Sequence, residues 1–175
     1  MHQFRPMRLL RIPEPFDHPH SLYEVKFDGF RALAHVNGHH CQLVSRNGHV
    51  FKSWPYLAEE IAHAVRAHSA VLDGEIVCLD ADGCRRFYDL MFRREWLYFL
   101  AFDVLSIDRE DLRALPLVDR KRRLARIMPR VESRLICLDA IEPRLSAFRS
   151  GLRTRPRSDR REVGQGLVST PRTVH

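Results

Sequence analysis

The segment Lys26-Phe27-Asp28-Gly29-Phe30-Arg31 gathers residue types that can do covalent chemistry. A lysine ammonium is unreactive until it loses its proton. Burial or neighbouring cations lower its pKa and free the lone pair for nucleophilic attack. Asp28-Gly29 suits a backbone turn at a strand end, where the lysine could face a pocket. Arg31 carries a guanidinium fork that can hold phosphate oxygens through two parallel hydrogen bonds. An ordinary surface lysine before a β-turn explains the same segment equally well, so the segment alone leaves both readings open. Amines are scarce elsewhere: of 29 Lys and Arg residues, only Lys26, Lys52 and Lys121 are lysine. Cys41, Cys78, Cys84 and Cys137 have no CxxC spacing, and His39-His40-Cys41 has no second ligand cluster to close a tetrahedral metal site. They read as plain thiols of a reducing compartment.

Three further motifs follow in order: Ser45-Arg46-Asn47-Gly48, Leu72-Asp73-Gly74-Glu75 and Phe102-Asp103-Val104-Leu105. On these residues the chain resembles the covalent nucleotidyltransferases, specifically ATP-dependent DNA ligases of the bacterial type found as the ligase module of multidomain end-joining enzymes. The lead-in, Glu14-Pro15-Phe16-Asp17 and then Tyr23-Glu24, is of the same kind. The resemblance spans residues 5–142. It implies that Lys26 attacks the α-phosphorus of ATP and pyrophosphate leaves. The lysyl-AMP so formed passes AMP to a DNA 5′-phosphate, from which a 3′-hydroxyl displaces it. Such in-line phosphoryl transfers are catalysed mostly by positioning and charge neutralisation. By the same resemblance Arg31 and Arg46 neutralise phosphates, and Glu75 handles the ribose and a divalent metal, Mg²⁺ or Mn²⁺. Phe102 stacks on adenine, and Glu24 reads the adenine edge. Nicked or broken double-stranded DNA is the implied partner, and sealing in repair and recombination the implied role.

The family pattern continues with an E-G-x-V-x-K motif and then K-x-K. Gln165-Gly166-Leu167-Val168-Ser169-Thr170 keeps the outline, with Gln where Glu is needed and Thr where Lys is needed. No lysine follows Lys121. Residues 148–163, read one base later through permitted codons, can encode a peptide resembling the family's approach to that motif, although Ser158 cannot give the family's glycine. This points to a frameshift near residues 142–146 and to a chain impaired by loss of the later motifs. A GTP-using capping enzyme or RNA ligase, a non-catalytic truncated remnant, and a nucleic-acid-binding protein acting through its arginine tail are the alternatives.

These residues need elements to hold them. Leu22–Phe27 and Phe30–Val36 read as strands. Asn37-Gly38 marks a tight turn into Gln42–Ser45, which makes a hairpin. Trp54, Leu57, Ile61, Ala64 and Val65 keep helical spacing across Ser53–Ala67, with Ser53 as N-cap and Pro55 early in the helix. Val71–Leu79 reads as a β-rich run broken at Asp73-Gly74, Asp80-Ala81-Asp82-Gly83 as a turn, and Leu97–Leu105 as a strand buried on both faces. Leu117–Met128 reads as an amphipathic helix carrying Arg120, Lys121, Arg122, Arg123 and Arg126. That basic cluster reads first as a solvated face, and second as a DNA contact.

The expected class is α+β: a nucleotidyltransferase domain (an ATP-grasp-like ligase adenylation domain by resemblance) of antiparallel sheets with flanking helices, incomplete at the C-terminus and without an OB-fold. Residues 1–142 are expected to form that partial domain. Residues 143–175 are expected to be an Arg-rich, irregular or out-of-frame tail. Of the net charge of +7 over 175 residues, +6 falls in that tail. The near-neutral remainder argues against general nucleic-acid binding as the evolved role. The longest apolar run, Trp96–Phe102, is far short of the roughly 20 residues of a membrane helix. The N-terminus has no apolar stretch of signal-peptide length. A monomeric, cytoplasmic, nucleoid-associated protein without membrane partners is expected.

Overall fold

The computed structural model of the chain describes residues 4–6, 10–11, 21–25, 27–79, 96–138 and 167–171. It divides into two compact units. The first combines Met1–Met7 with Asp28–Leu138, and the second combines Arg8–Phe27 with Asp139–His175. The elements in chain order are β1 (Leu10–Arg11), β2 (Ser21–Val25), β3 (Phe30–Asn37), β4 (His40–Ser45), α1 (Pro55–Ala64), β5 (Ser69–Cys78), β6 (Leu97–Ile107), β7 (Glu110–Asp111), α2 (Leu117–Ile127), β8 (Leu135–Cys137) and β9 (Leu167–Pro171).

The first unit is built on a six-stranded sheet of order β4-β3-β5-β6-β7, with β8 also pairing β6. Only the β6–β8 pair is parallel among these strands. The α+β expectation therefore holds in its antiparallel character. Along β3, Ala32, Ala34 and Val36 alternate with Arg31, Leu33 and His35, as a pleated strand requires. The first set joins Leu72, Ile76, Phe99 and Val104 in the main core, which α1 closes with Leu57 and Ile61 and α2 closes with Leu124 and Ile127. The opposite face holds a smaller cluster of Leu33, Val71 and Leu105 with Phe4 packed on it.

Several local details follow from competing demands. Asn37 pairs with His40, so the hairpin loop is Gly38-His39, one residue later than the sequence suggests, with Gly38 at φ +56°. Helix α1 is capped by Trp54, not Ser53, and no side chain bonds its first amides. Trp54 is buried against Phe30 and Phe51, so core packing sets where the chain enters the helix. Pro55 takes the first helical position as expected. The strand expected to break at Asp73-Gly74 runs unbroken as β5, and the irregularity is a register shift there. Asp108 and Arg109 both have positive φ and join β6 to β7, a short strand that the sequence does not announce.

In the second unit β9 lies between β1 and β2, antiparallel to both. Leu167–Pro171 falls within the segment that composition marks as the tail. The Leu-Val-Ser-Thr stretch has too short a pattern to stand out, but two strand partners satisfy its backbone. The compositional boundary at residue 142 therefore cuts across a sheet. The turn expected at Asp80–Gly83 and the remainder of the tail lie outside the described residues.

Candidate nucleotide site on the sheet

The site residues come from neighbouring strands. Arg31 on β3 is the register partner of Glu75 on β5, and Leu33 is the partner of Asp73. The Arg31 guanidinium donates Nε–H to Asp73 Oδ1 at 2.7 Å and an Nη2 hydrogen to Asp73 Oδ2 at 2.9 Å. The side chains are 17% and 0% exposed. The same guanidinium lies over the Phe102 ring, 4.3 Å from its centroid, so one cation joins three strands. Glu75 is oriented from the next turn: the Gly29 amide donates to its Oε1 at 3.2 Å. Gly29 lies so close to the Ile76 carbonyl that any Cβ would collide with backbone. This makes the glycine a packing requirement at the end of the Lys26–Arg31 motif.

Phe102 owes its place to the way β5 and β6 pair. Asp73 pairs with Asp103 and Gly74 with Ala101, so Phe102 is an extra residue on β6 with no opposite number on β5. Leu72 then pairs with Val104 and Val71 with Ser106, which leaves Leu105 extra as well. Bulges of this kind re-aim a side chain and bend the strand. On the helix side, Gly74 meets the Phe99 ring, and a Cβ there would lie about 2.5 Å from it.

A second ion pair backs the first. Arg120 on α2 donates Nε–H to Asp103 Oδ1 at 2.9 Å, an Nη2 hydrogen to Oδ2 at 3.0 Å and an Nη1 hydrogen to the Leu115 carbonyl at 2.6 Å. Both side chains are buried. Burial pushes the Asp103 carboxyl above its usual range; Arg120 and the Val104 amide oppose that shift, and neighbouring Asp73 adds to it. Lys121 Nζ donates to the carbonyls of Phe102 at 2.8 Å and Leu138 at 3.4 Å. Arg120 and Lys121 thus leave the solvated face that the sequence assigned to α2. Arg122 and Arg123 remain on the exposed side, paired with Asp119 and Glu110.

Arg31, Glu75 and Phe102, expected from the motifs, come together on one end of the sheet. Arg46 sits exposed in the turn after β4, one step past the Ala32–Ser45 pair. Glu24 is a buried residue of β2, opposite Val168 of β9, and belongs to the second unit. Lys26 lies outside the described residues. Asp73, Asp103, Arg120 and Lys121 carry weight that the sequence did not assign. Their motif neighbours were the available signal, but the register that joins them is not visible without the sheet. Among the described residues no group of three His, Cys, Asp or Glu side chains could hold a metal ion. Glu75 can offer one carboxylate, which suits Mg²⁺ because that ion commonly takes one or two carboxylates with substrate phosphates and water. Burial pushes the Cys41 thiol up to about 12. Among the described residues no helix is long and apolar enough to cross a membrane.

The chain is similar to known proteins in sequence and fold. The chain is 37% identical over 115 residues to DNA ligase 2 of Methanosarcina acetivorans, a match covering 58% of this chain and 20% of the relative. It is 33% identical over 112 residues to the multifunctional non-homologous end joining protein LigD of Pseudomonas aeruginosa, covering 61% of this chain and 13% of the relative. The chain thus spans a fifth or less of either relative's length. Among solved structures it is similar in fold to a mycobacterial DNA ligase D complexed with ATP and MES, with TM-score 0.64 at 23% identity, covering 90% of this chain and 50% of that one. It is likewise similar to the ligase domain of LigD from M. tuberculosis, with TM-score 0.63 at 24% identity, covering 89% and 49%. The family model for an ATP dependent DNA ligase domain matches residues 9–144, so the chain belongs to the ATP-dependent DNA ligase family.

Proposed function

We propose that the chain is the nucleotide-binding part of a ligase adenylation domain, with Lys26 as the nucleophile that takes AMP from ATP. The observation that carries this reading is the gathering of Arg31, Glu75 and Phe102 on one sheet end, each from a separate motif. In the step itself, the neutral Lys26 amine forms a P–N bond to the α-phosphorus. The bond from the α-phosphorus to the bridging oxygen breaks, and pyrophosphate leaves with the electron pair. The amine proton passes to solvent or a nearby base.

The contacts refine the roles. The Arg31 fork is engaged by Asp73, so Arg31 serves chiefly to fix the Phe102 plate. Arg46, exposed in the turn after β4, is then the cation assigned to phosphate. Glu75, held by the Gly29 amide, offers a carboxylate to the ribose or to Mg²⁺ or Mn²⁺. Glu24 reads the base edge. DNA with a nick or break is the acceptor, as the names of the relatives suggest. The departures at Gln165 and Thr170 from the family's later motif lower the charge available to the triphosphate, so turnover is slow.

Intact mass after incubation with ATP and Mg²⁺ or Mn²⁺ tests this. The chain gains one AMP, Lys26→Ala gains none, and Lys52→Ala behaves as the parent. No adduct on a folded chain makes it a non-catalytic remnant of the family.

A further inference from the structure

Phe102 is an extra residue in β6, and a bulge by itself does not hold one orientation. Two consecutive residues of α2 grip this stretch. Arg120 clamps the Asp103 carboxylate with two hydrogen bonds, and Lys121 takes the Phe102 carbonyl at 2.8 Å. The Lys121 ammonium also reaches the Leu138 carbonyl, just past β8, while the Leu138 amide donates to Ala101 at 2.8 Å. One ammonium therefore closes the end of the parallel β6–β8 pair at the residue whose ring lies under Arg31. The chain has only three lysines, and an ammonium directed at backbone carbonyls on a half-buried helix face is an unusual use of one.

We propose that Lys121 is a positioning residue that fixes the backbone of the Phe102 bulge and thereby sets the ring against which a purine base is held. The purine part of this inference rests on the nucleotide-site reading given above. Lys121→Met keeps the length and apolar stem of the side chain and removes its donors. Lys121→Arg restores a donor.

Two measurements test the proposal on the full chain. In the first, ATP and inorganic tripolyphosphate are titrated separately into each variant. Lys121→Met weakens ATP about tenfold, the scale of one lost hydrogen bond to a charged group, and leaves tripolyphosphate unchanged; Lys121→Arg recovers most of the loss. Equal weakening of both ligands, or of neither, overturns the proposal. In the second, amide hydrogen exchange is followed at Phe102–Val104 without nucleotide. Lys121→Met speeds it about tenfold there and leaves the Leu33 and Ala34 amides of β3 unchanged. Uniform acceleration across the sheet, or none, overturns the proposal. If the parent chain binds no ATP, the nucleotide reading fails, and the exchange measurement still decides whether Lys121 holds the bulge.

Discussion

The two faces of the six-stranded sheet are built from the same strands and differ in kind. Toward α1 and α2 the face is an apolar core. On the other face a small apolar cluster gives way to Arg31, Asp73, Glu75 and Phe102. Residues buried for stability and residues kept for chemistry alternate along β3 and β5. The bulge in β6 sets two consecutive residues between the core-facing Ala101 and Val104: Phe102 meets Arg31, and Asp103, the partner of Asp73, meets Arg120 of α2. Helix α2 thus supports the Arg31–Phe102 cluster through β6, so damage to the two ion pairs should differ in size and in what it removes.

The largest expected effect lies at the pair that α2 makes with β6. Arg120→Met leaves Asp103 buried without its cation and costs about 3–5 kcal/mol in denaturant unfolding. The corresponding change in the other pair, Arg31→Met, costs less, about 1–3 kcal/mol, because Arg31 is more exposed than Arg120. Equal losses would show that the two pairs do not differ in environment. Gly74→Ala drives a methyl toward Phe99 and the Leu100 carbonyl and costs about 1–3 kcal/mol, seen as a lower melting temperature.

The pH dependence is a smaller effect with a definite sign. Burial raises the folded-state pKa of Asp103, so the folded chain holds this proton more tightly than the unfolded chain does. Its contribution to stability therefore falls as pH rises from the ordinary carboxylate range through the raised value. The stability difference between the parent and Asp103→Asn should change with pH in that window and level off above it. A flat difference would contradict the assignment. Smallest is the response of Cys41, whose raised pKa keeps the thiol protonated at pH 8. Iodoacetamide should modify it far more slowly than a free peptide thiol, as followed by peptide mass.

Much of this was legible in the sequence because local signals and global placement agreed. Alternating Ala32, Ala34 and Val36 gave β3 its buried face, Pro55 marked the start of α1, and the spaced motifs led to Arg31, Glu75 and Phe102. What stayed hidden depends on pairing between distant strands. Asp73-Gly74 looks like a turn when taken alone, and becomes strand because Asp73 is held by Arg31 and Gly74 admits the Phe99 ring. Arg120 and Lys121 look like solvent charges on an amphipathic helix until β6 supplies a carboxylate and a bulged carbonyl beneath them. Leu167–Pro171 looks irregular until β1 and β2 flank it.

The central claim is that the face carrying Arg31 and Phe102, and not the helix-covered one, receives the nucleotide. ATP titrated into Phe102→Ala, with Tyr56→Ala on α1 as the contrasting variant, tests this most directly. Loss of a stacking ring should weaken ATP by about tenfold or more in Phe102→Ala, while Tyr56→Ala keeps the parent affinity. Unchanged affinity in a folded Phe102→Ala chain would contradict the account.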